Sequence, residues 1–156
     1  MRVITVTIPG RPPTPNARRN WHVIAKDNAE WKQAAWIAAM DELQRLEWPT
    51  RTVMVDVGTK ARARLEPRLV AVRPMLAAFA EVEIIVPTRG RHDWDNAVAS
   101  LKPLFDAMVA AGIVADDSVE RIPNHRVEVV HTKGQSKVRM TFTELEMPDT
   151  LGLEES

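Results

Sequence analysis

Residues 90–118, GRHDWDNAVASLKPLFDAMVAAGIVADDS, contain five aspartates and one lysine: Asp93, Asp95, Asp106, Asp116, Asp117 and Lys102. Carboxylates that converge repel one another and raise one another's pKa, so a working cluster needs a proton or a cation. A hard divalent cation such as Mg²⁺ takes oxygen ligands, a few of them carboxylates, and leaves its remaining positions to water and substrate phosphate. The chain has no cysteine and no His-x-x-x-His pair, which makes zinc or a softer metal a poor match. Asp93 and Asp95 flank Trp94 and would project to one side of an extended segment at the end of a strand. Asp95, Lys102 and Asp106 recur at intervals that return to nearly the same angle on a helix. Asp116 and Asp117 follow Gly112, which would turn the chain back. A plainer explanation exists for each part: Asp93, Asp95 and Asn96 as turn or cap residues, Asp116 to Ser118 as an Asx turn, and Lys102 as an i,i+4 partner of Asp106.

The elements that would position these residues can be read from periodicity. RVITVTIP alternates β-branched residues and reads as a strand ended by Pro9. GRPPTPNARRNWH, with three prolines and a glycine in its first six residues, reads as an extended loop. Asp27 or Asn28 could cap a helix through AEWKQAAWIAAMDELQRL, with Trp31, Ala34 or Ala35, Ala38 and Leu43 at helical spacing and Pro49 beyond its end. Trp31 and Trp36 are expected in the core or an interface. TVMVDV could be a strand, but GTKARARLEPRLVAVR has no clear period, and the conformation of residues 50–73 stays open.

MLAAFAEVEIIVP places Ala78, Ala80, Val82, Ile84 and Val86 on one face of a strand. Asp95 or Asn96 could cap a second helix, AVASLKPLFDAMVAA, ended by Gly112, with Val98, Leu101, Phe105 and Met108 as its apolar stripe and Pro103 expected to kink it. HRVEVVHT and SKVRMTFTELE alternate like strands, and Gly134 suits a hairpin turn between them. The expected order is β-α-β-α-β-β: an α/β (α+β) fold with a small mixed sheet covered by two helices.

At 156 residues one domain is expected, over 1–147, with an acidic tail at 148–156. MRVITVTIPGRPP has no signal-peptide core and no apolar run is long enough to span a bilayer, so a cytoplasmic protein without membrane association is expected. Twenty-one basic and twenty-one acidic residues cancel overall but are unevenly placed. Residues 1–26 carry five basic groups and no acid, 51–73 six basic and two acidic, and 121–140 five basic and one acidic, against six acidic and one basic over 92–120. This argues against a uniformly cationic nucleic-acid binder and for local patches.

RHDWDN, LKPLFDAM and AAGIVADDS, in this order and spacing, resemble the signature of the RusA family of Holliday-junction resolvases, small endodeoxyribonucleases common in phages and prophages. The resemblance covers residues 89–118. ITVTIPGRPPTPNARR, a strand followed by a Pro-rich, Arg-bearing loop, extends it. Residues 45–75 have no counterpart in it and read as an insertion. Two departures stand out: Gly90 and His92 interrupt the basic run, and Lys102 lies farther from Asp95 than in some members.

The resemblance implies that Asp93, Asp95 and Asp117 hold Mg²⁺, with Mn²⁺ able to substitute, and that Lys102 is the essential lysine. It leaves the roles of Asp106 and Asp116 open. It also implies a homodimer, with Asn16, Arg18, Arg19, Arg89 and Arg91 contacting DNA; Asn96 and Lys102 would join them. The activity expected on this basis is Mg²⁺-dependent resolution of Holliday junctions by paired phosphodiester hydrolysis in DNA recombination and repair. Two rivals are a non-cleaving branched-DNA-binding protein of the same fold and a metal-dependent phosphohydrolase with a small substrate.

Overall fold

The computed structural model describes residues 1–10, 21–87, 98–118, 121–134 and 136–146. Eight elements follow in order: β1 (Val3–Pro9), α1 (Trp21–Arg45), β2 (Thr50–Asp56), β3 (Leu65–Ala71), β4 (Ala78–Val86), α2 (Lys102–Ala110), β5 (Asn124–His131) and β6 (Lys137–Glu144). The mixed α+β class matches expectation, but the order differs from β-α-β-α-β-β because the stretch left open forms two strands, β2 and β3. Among the described residues they pair with each other alone, in a separate antiparallel sheet.

The main sheet has the order β1-β6-β4-β5. Period-two alternation delivers Ile4, Val6 and Ile8 of β1, Val138, Met140 and Phe142 of β6, and Ala78, Ala80, Val82, Ile84 and Val86 of β4 to one buried face. On that face lie Trp31, Ala35, Ala39 and Leu43 of α1, together with Leu104, Ala107 and Met108 of α2 and Leu101 just ahead of it, in one continuous core. The i, i+4 recurrence along α1 buries Ala39, and Ala38 is only half-buried. Phe105 is half-buried and meets Phe142 edge-on, with ring centroids 6.1 Å apart.

Three further expectations are corrected. Helix α1 begins at Trp21, ahead of Asp27 and Asn28; no glycine or proline separates these positions, so the helix propagates back through them. The last two strands are not a hairpin: β4 lies between them, parallel to β5 and antiparallel to β6. The connection through Gly134 therefore crosses the end of β4, where the Thr132 amide donates to the Val86 carbonyl at 3.0 Å.

Pro103 does not kink a continuous helix. The backbone is helical at Val98 and Ala99 and turns at 100–101, and α2 then starts with Leu101 as its N-cap residue and Pro103 in its first turn. There its missing N–H removes no intrahelical bond.

Gly112 ends α2 as expected, with φ +76°. The Ile113 amide donates to the Met108 carbonyl at 3.0 Å and the Gly112 amide to the Val109 carbonyl at 3.0 Å, the paired bonds of a Schellman motif. A Cβ at position 112 would lie 2.8 Å from the Ala71 carbonyl oxygen, so both conformation and space require glycine.

Candidate functional site

The turn at Gly112 decides what stands beside the start of α2. The nine residues of α2 rise about 14 Å at 1.5 Å per residue. The returning segment runs back alongside, pinned by the Ala115 amide to the Met75 carbonyl at 2.9 Å and the Met75 amide to the Ile113 carbonyl at 2.9 Å. It thereby brings Asp117 to Lys102, the first residue of the helix.

Lys102 Nζ lies 2.5 Å from Asp117 Oδ2 and 3.0 Å from Asp106 Oδ1. The ammonium thus serves both carboxylates, one through the i,i+4 spacing within α2 and one across the turn. Its pKa is raised, first by the hydrogen bond to Asp117 and then by that to Asp106. Asp117 is held below the ordinary carboxylate value, chiefly by the same hydrogen bond from Lys102 and against a partial opposing effect of burial. At neutral pH the arrangement is therefore one ammonium with ionised Asp117. Lys102 cannot serve as a general base in this state.

Asp116 is directed elsewhere: its Oδ1 accepts the Asp117 amide at 2.8 Å, which helps fix the backbone that carries Asp117. Downstream, the Ser118 carbonyl accepts the Ile122 amide at 2.8 Å and closes the turn into β5.

Lys102 and Asp117 stand at the rim of a groove of about 230 Å³ with predominantly apolar walls, bounded by Val98, Phe105, Ile122, His125 and Val127. Both flanks of α2 reach this groove, Val98 from the segment before it and Asp117 from the segment after it, beside the exposed edge strand β5. His125 escaped the sequence reading. The signal was available, since period-two alternation in HRVEVVHT puts His125 on the same face as the buried Val127.

Of the residues expected in the site, Lys102, Asp106 and Asp117 come together, with Asp116 adjacent. Asp93, Asp95 and Asn96 lie outside the described residues, as do Asn16, Arg18, Arg19, Arg89 and Arg91. Among the described residues no three histidine, cysteine, aspartate or glutamate side chains gather as a metal-binding group. The donors present are carboxylate oxygens, and Asp117 is held ionised, so in type they fit a hard cation. No helix of the described residues is long and apolar enough to cross a membrane. Neither a scan against protein-family models nor a search of curated proteins finds a match to this chain.

Proposed function

We propose that this chain is a Mg²⁺-dependent endodeoxyribonuclease that resolves four-way DNA junctions by paired phosphodiester hydrolysis, in the cytoplasm of a bacterial host. The observation that carries the proposal is the pair formed by Lys102 and Asp117 at 2.5 Å, at the rim of a groove that Val98 also lines. In sequence, Val98 follows Asp95 by three residues, and the proposal assigns Asp93 and Asp95 to the same site as Asp117.

Asp93, Asp95 and Asp117 would hold the metal. Bound there, Mg²⁺ supplies Lewis-acid polarisation of the phosphate and a water of lowered pKa. The remaining roles belong to the chain. Asp117, ionised well below neutral pH, offers a charged oxygen without first losing a proton. Lys102, exposed enough to turn outward, brings a permanent positive charge to the phosphate on which negative charge builds in the transition state. Asp106 competes with the phosphate for that ammonium and holds it at the rim between turnovers. Asn16, Arg18, Arg19, Arg89, Arg91 and Asn96 would position the DNA backbone, which fixes register more than sequence. A homodimer would present two such sites to the symmetric strands of a junction.

The test is incubation of the protein with an end-labelled four-way junction and Mg²⁺. Paired nicks bearing 5′ phosphate and 3′ hydroxyl ends are expected, and binding without nicking removes the enzyme from the proposal. A phosphohydrolase with a small substrate is favoured by one feature, the size of the groove beside Asp117. Turnover of a nucleotide or phosphate monoester with no action on DNA would select that second reading.

A further inference from the structure

The β2–β3 pair forms a two-stranded ribbon whose register is unbroken from base to tip. Pairing runs from Thr50 opposite Ala71 to Asp56 opposite Leu65. It continues through the Val57 amide to the Arg64 carbonyl at 2.8 Å and reciprocal bonds between Thr59 and Arg62 at 3.0 and 3.1 Å, leaving Lys60 and Ala61 as the turn. The tip is tied down: Asp56 Oδ1 accepts the amides of Gly58 at 2.9 Å and Arg64 at 3.1 Å. A Cβ at Gly58 would lie 2.2 Å from the Arg62 carbonyl oxygen, so the two strands meet there at a distance only glycine permits.

The base is anchored on the body of the protein. The Ala71 amide donates to the Ala111 carbonyl at 2.8 Å, while the Val72 amide donates to the Pro49 carbonyl at 2.9 Å and closes the ribbon at its base. Arg68 lies over the Trp36 ring at 4.3 Å and donates to Gln33 at 3.1 Å. Beyond this anchor the ribbon is solvent-exposed, with Met54 at 59% and Leu65 at 60%. From Met54 to Lys60 it extends about 20 Å at 3.3 Å per residue.

The cations of the ribbon divide into two groups. Arg68 is committed to Trp36, Gln33 and Glu66, and Arg64 pairs with Glu66 at 3.1 Å. Arg51, Lys60 and Arg62 are exposed and have no ion-pair partner among the described residues. Asp56, the one acid near the tip, is turned onto backbone amides that hold its carboxyl below the ordinary value. A surface that only keeps a protein in solution interleaves both signs along its length. At the tip of this ribbon Lys60 and Arg62, two cations without an ion-pair partner among the described residues, outnumber the single ionised Asp56, whose Oδ1 is taken up by backbone amides.

We propose that the β2–β3 ribbon lies in a groove of duplex DNA, with Lys60 and Arg62 on backbone phosphates. The major groove is wide and deep enough to admit a two-stranded ribbon, and a turn that is already ordered loses little freedom on binding. The proposal rests on the DNA-cleaving function above. The base of the ribbon meets the C-terminal end of α2, whereas Lys102 and Asp117 meet at its N-terminal end, and the proposal assigns Lys60 and Arg62 to duplex phosphates other than the cleaved one. The ribbon therefore contributes to affinity and leaves the chemical step alone.

The test compares the full chain with its Lys60→Ala/Arg62→Ala variant. Anisotropy on a long-armed four-way junction is measured across a salt series in Ca²⁺, and single-turnover nicking at saturating protein in Mg²⁺. The variant should bind at least about tenfold more weakly at moderate salt, with its salt slope reduced by about two, near 0.9 per phosphate contact. Its saturating nicking rate should equal that of the wild type. Unchanged affinity and slope overturn the ribbon contact while wild-type nicking leaves the nuclease standing. Wild-type protein that binds no DNA at low salt overturns both. A ribbon that seats another protein on its Met54, Leu65 and Pro67 face would also leave the slope unchanged, and so overturns the proposal.

Discussion

Lys102 Nζ and Asp117 Oδ2 lie 2.5 Å apart although fifteen positions separate them in the chain. The contact exists because one nine-residue helix and one glycine turn fold the segment back on itself. Lys102 is 65% exposed, and an ion pair this open contributes about 0–1 kcal/mol to stability. Stability alone gives little reason to hold these two groups together, which is why a role at the groove is the better explanation.

Lys102→Met should therefore leave the melting temperature within a few degrees of wild type while lowering nicking by about 10²-fold, the scale of one lost electrostatic donor. Without the ammonium, the Asp117 carboxyl should titrate closer to its ordinary value of 3.8. Carbon-detected NMR of the carboxyl in a pH series reads this directly. An unmoved titration would show that Lys102 does not control the state of Asp117.

Gly112→Ala should be damaging at two levels. The side chain would require an unfavourable φ and press on the Ala71 backbone at 2.8 Å, for a loss of about 2 kcal/mol or more in chemical denaturation. The return segment that carries Asp117 would shift with it. Nicking by the fraction that remains folded should then fall as well, measured at a temperature where circular dichroism shows native structure. Full activity would mean that the turn does not position the site.

Glu144 provides a pH test of the frame. Arg2 Nε and Nη2 donate to its two oxygens at 2.9 and 2.8 Å, and hydrogen bonding to Arg2 holds the Glu144 carboxyl down from 4.5 to about 2. A carboxyl depressed in the folded state stabilises above its unfolded pKa and loses that contribution as pH falls through its folded value. Glu144→Gln should thus be less stable than wild type at pH 7. In urea melts the gap should narrow between pH 4.5 and about 2. A gap independent of pH would assign the loss to packing.

Local pattern and long-range pairing were legible to different degrees. The alternation in AFAEVEIIV identifies the buried face of β4 because side-chain direction is a property of the strand itself. The same alternation in β5 and β6 says nothing about neighbours, and adjacency in sequence suggested a hairpin where β4 in fact intervenes. Pro103 shows the same limit: its effect depends on whether it falls in the first turn or the interior, and no local period locates that boundary. Within the site, the Lys102–Asp106 pair follows from i,i+4 spacing alone. The Lys102–Asp117 contact needs the helix length and the Gly112 turn together. His125 joins the groove only because β5 sits at the sheet edge beside α2, which is a matter of topology.

The paired-incision proposal has its own check in solution mass. Light scattering at micromolar concentration should report twice the 17.6 kDa chain mass. A strict monomer, in the presence and absence of junction DNA, would contradict it.

The most direct measurement is single-turnover cleavage of a fixed four-way junction in Mg²⁺ by wild type and by Asp117→Asn. Cleavage by wild type should be lost in excess chelator. The variant should bind the junction with unchanged affinity and nick it at least about 10²-fold more slowly. A variant that cuts at the wild-type rate, or a wild type that binds the junction and never nicks it, would contradict the assignment of this site.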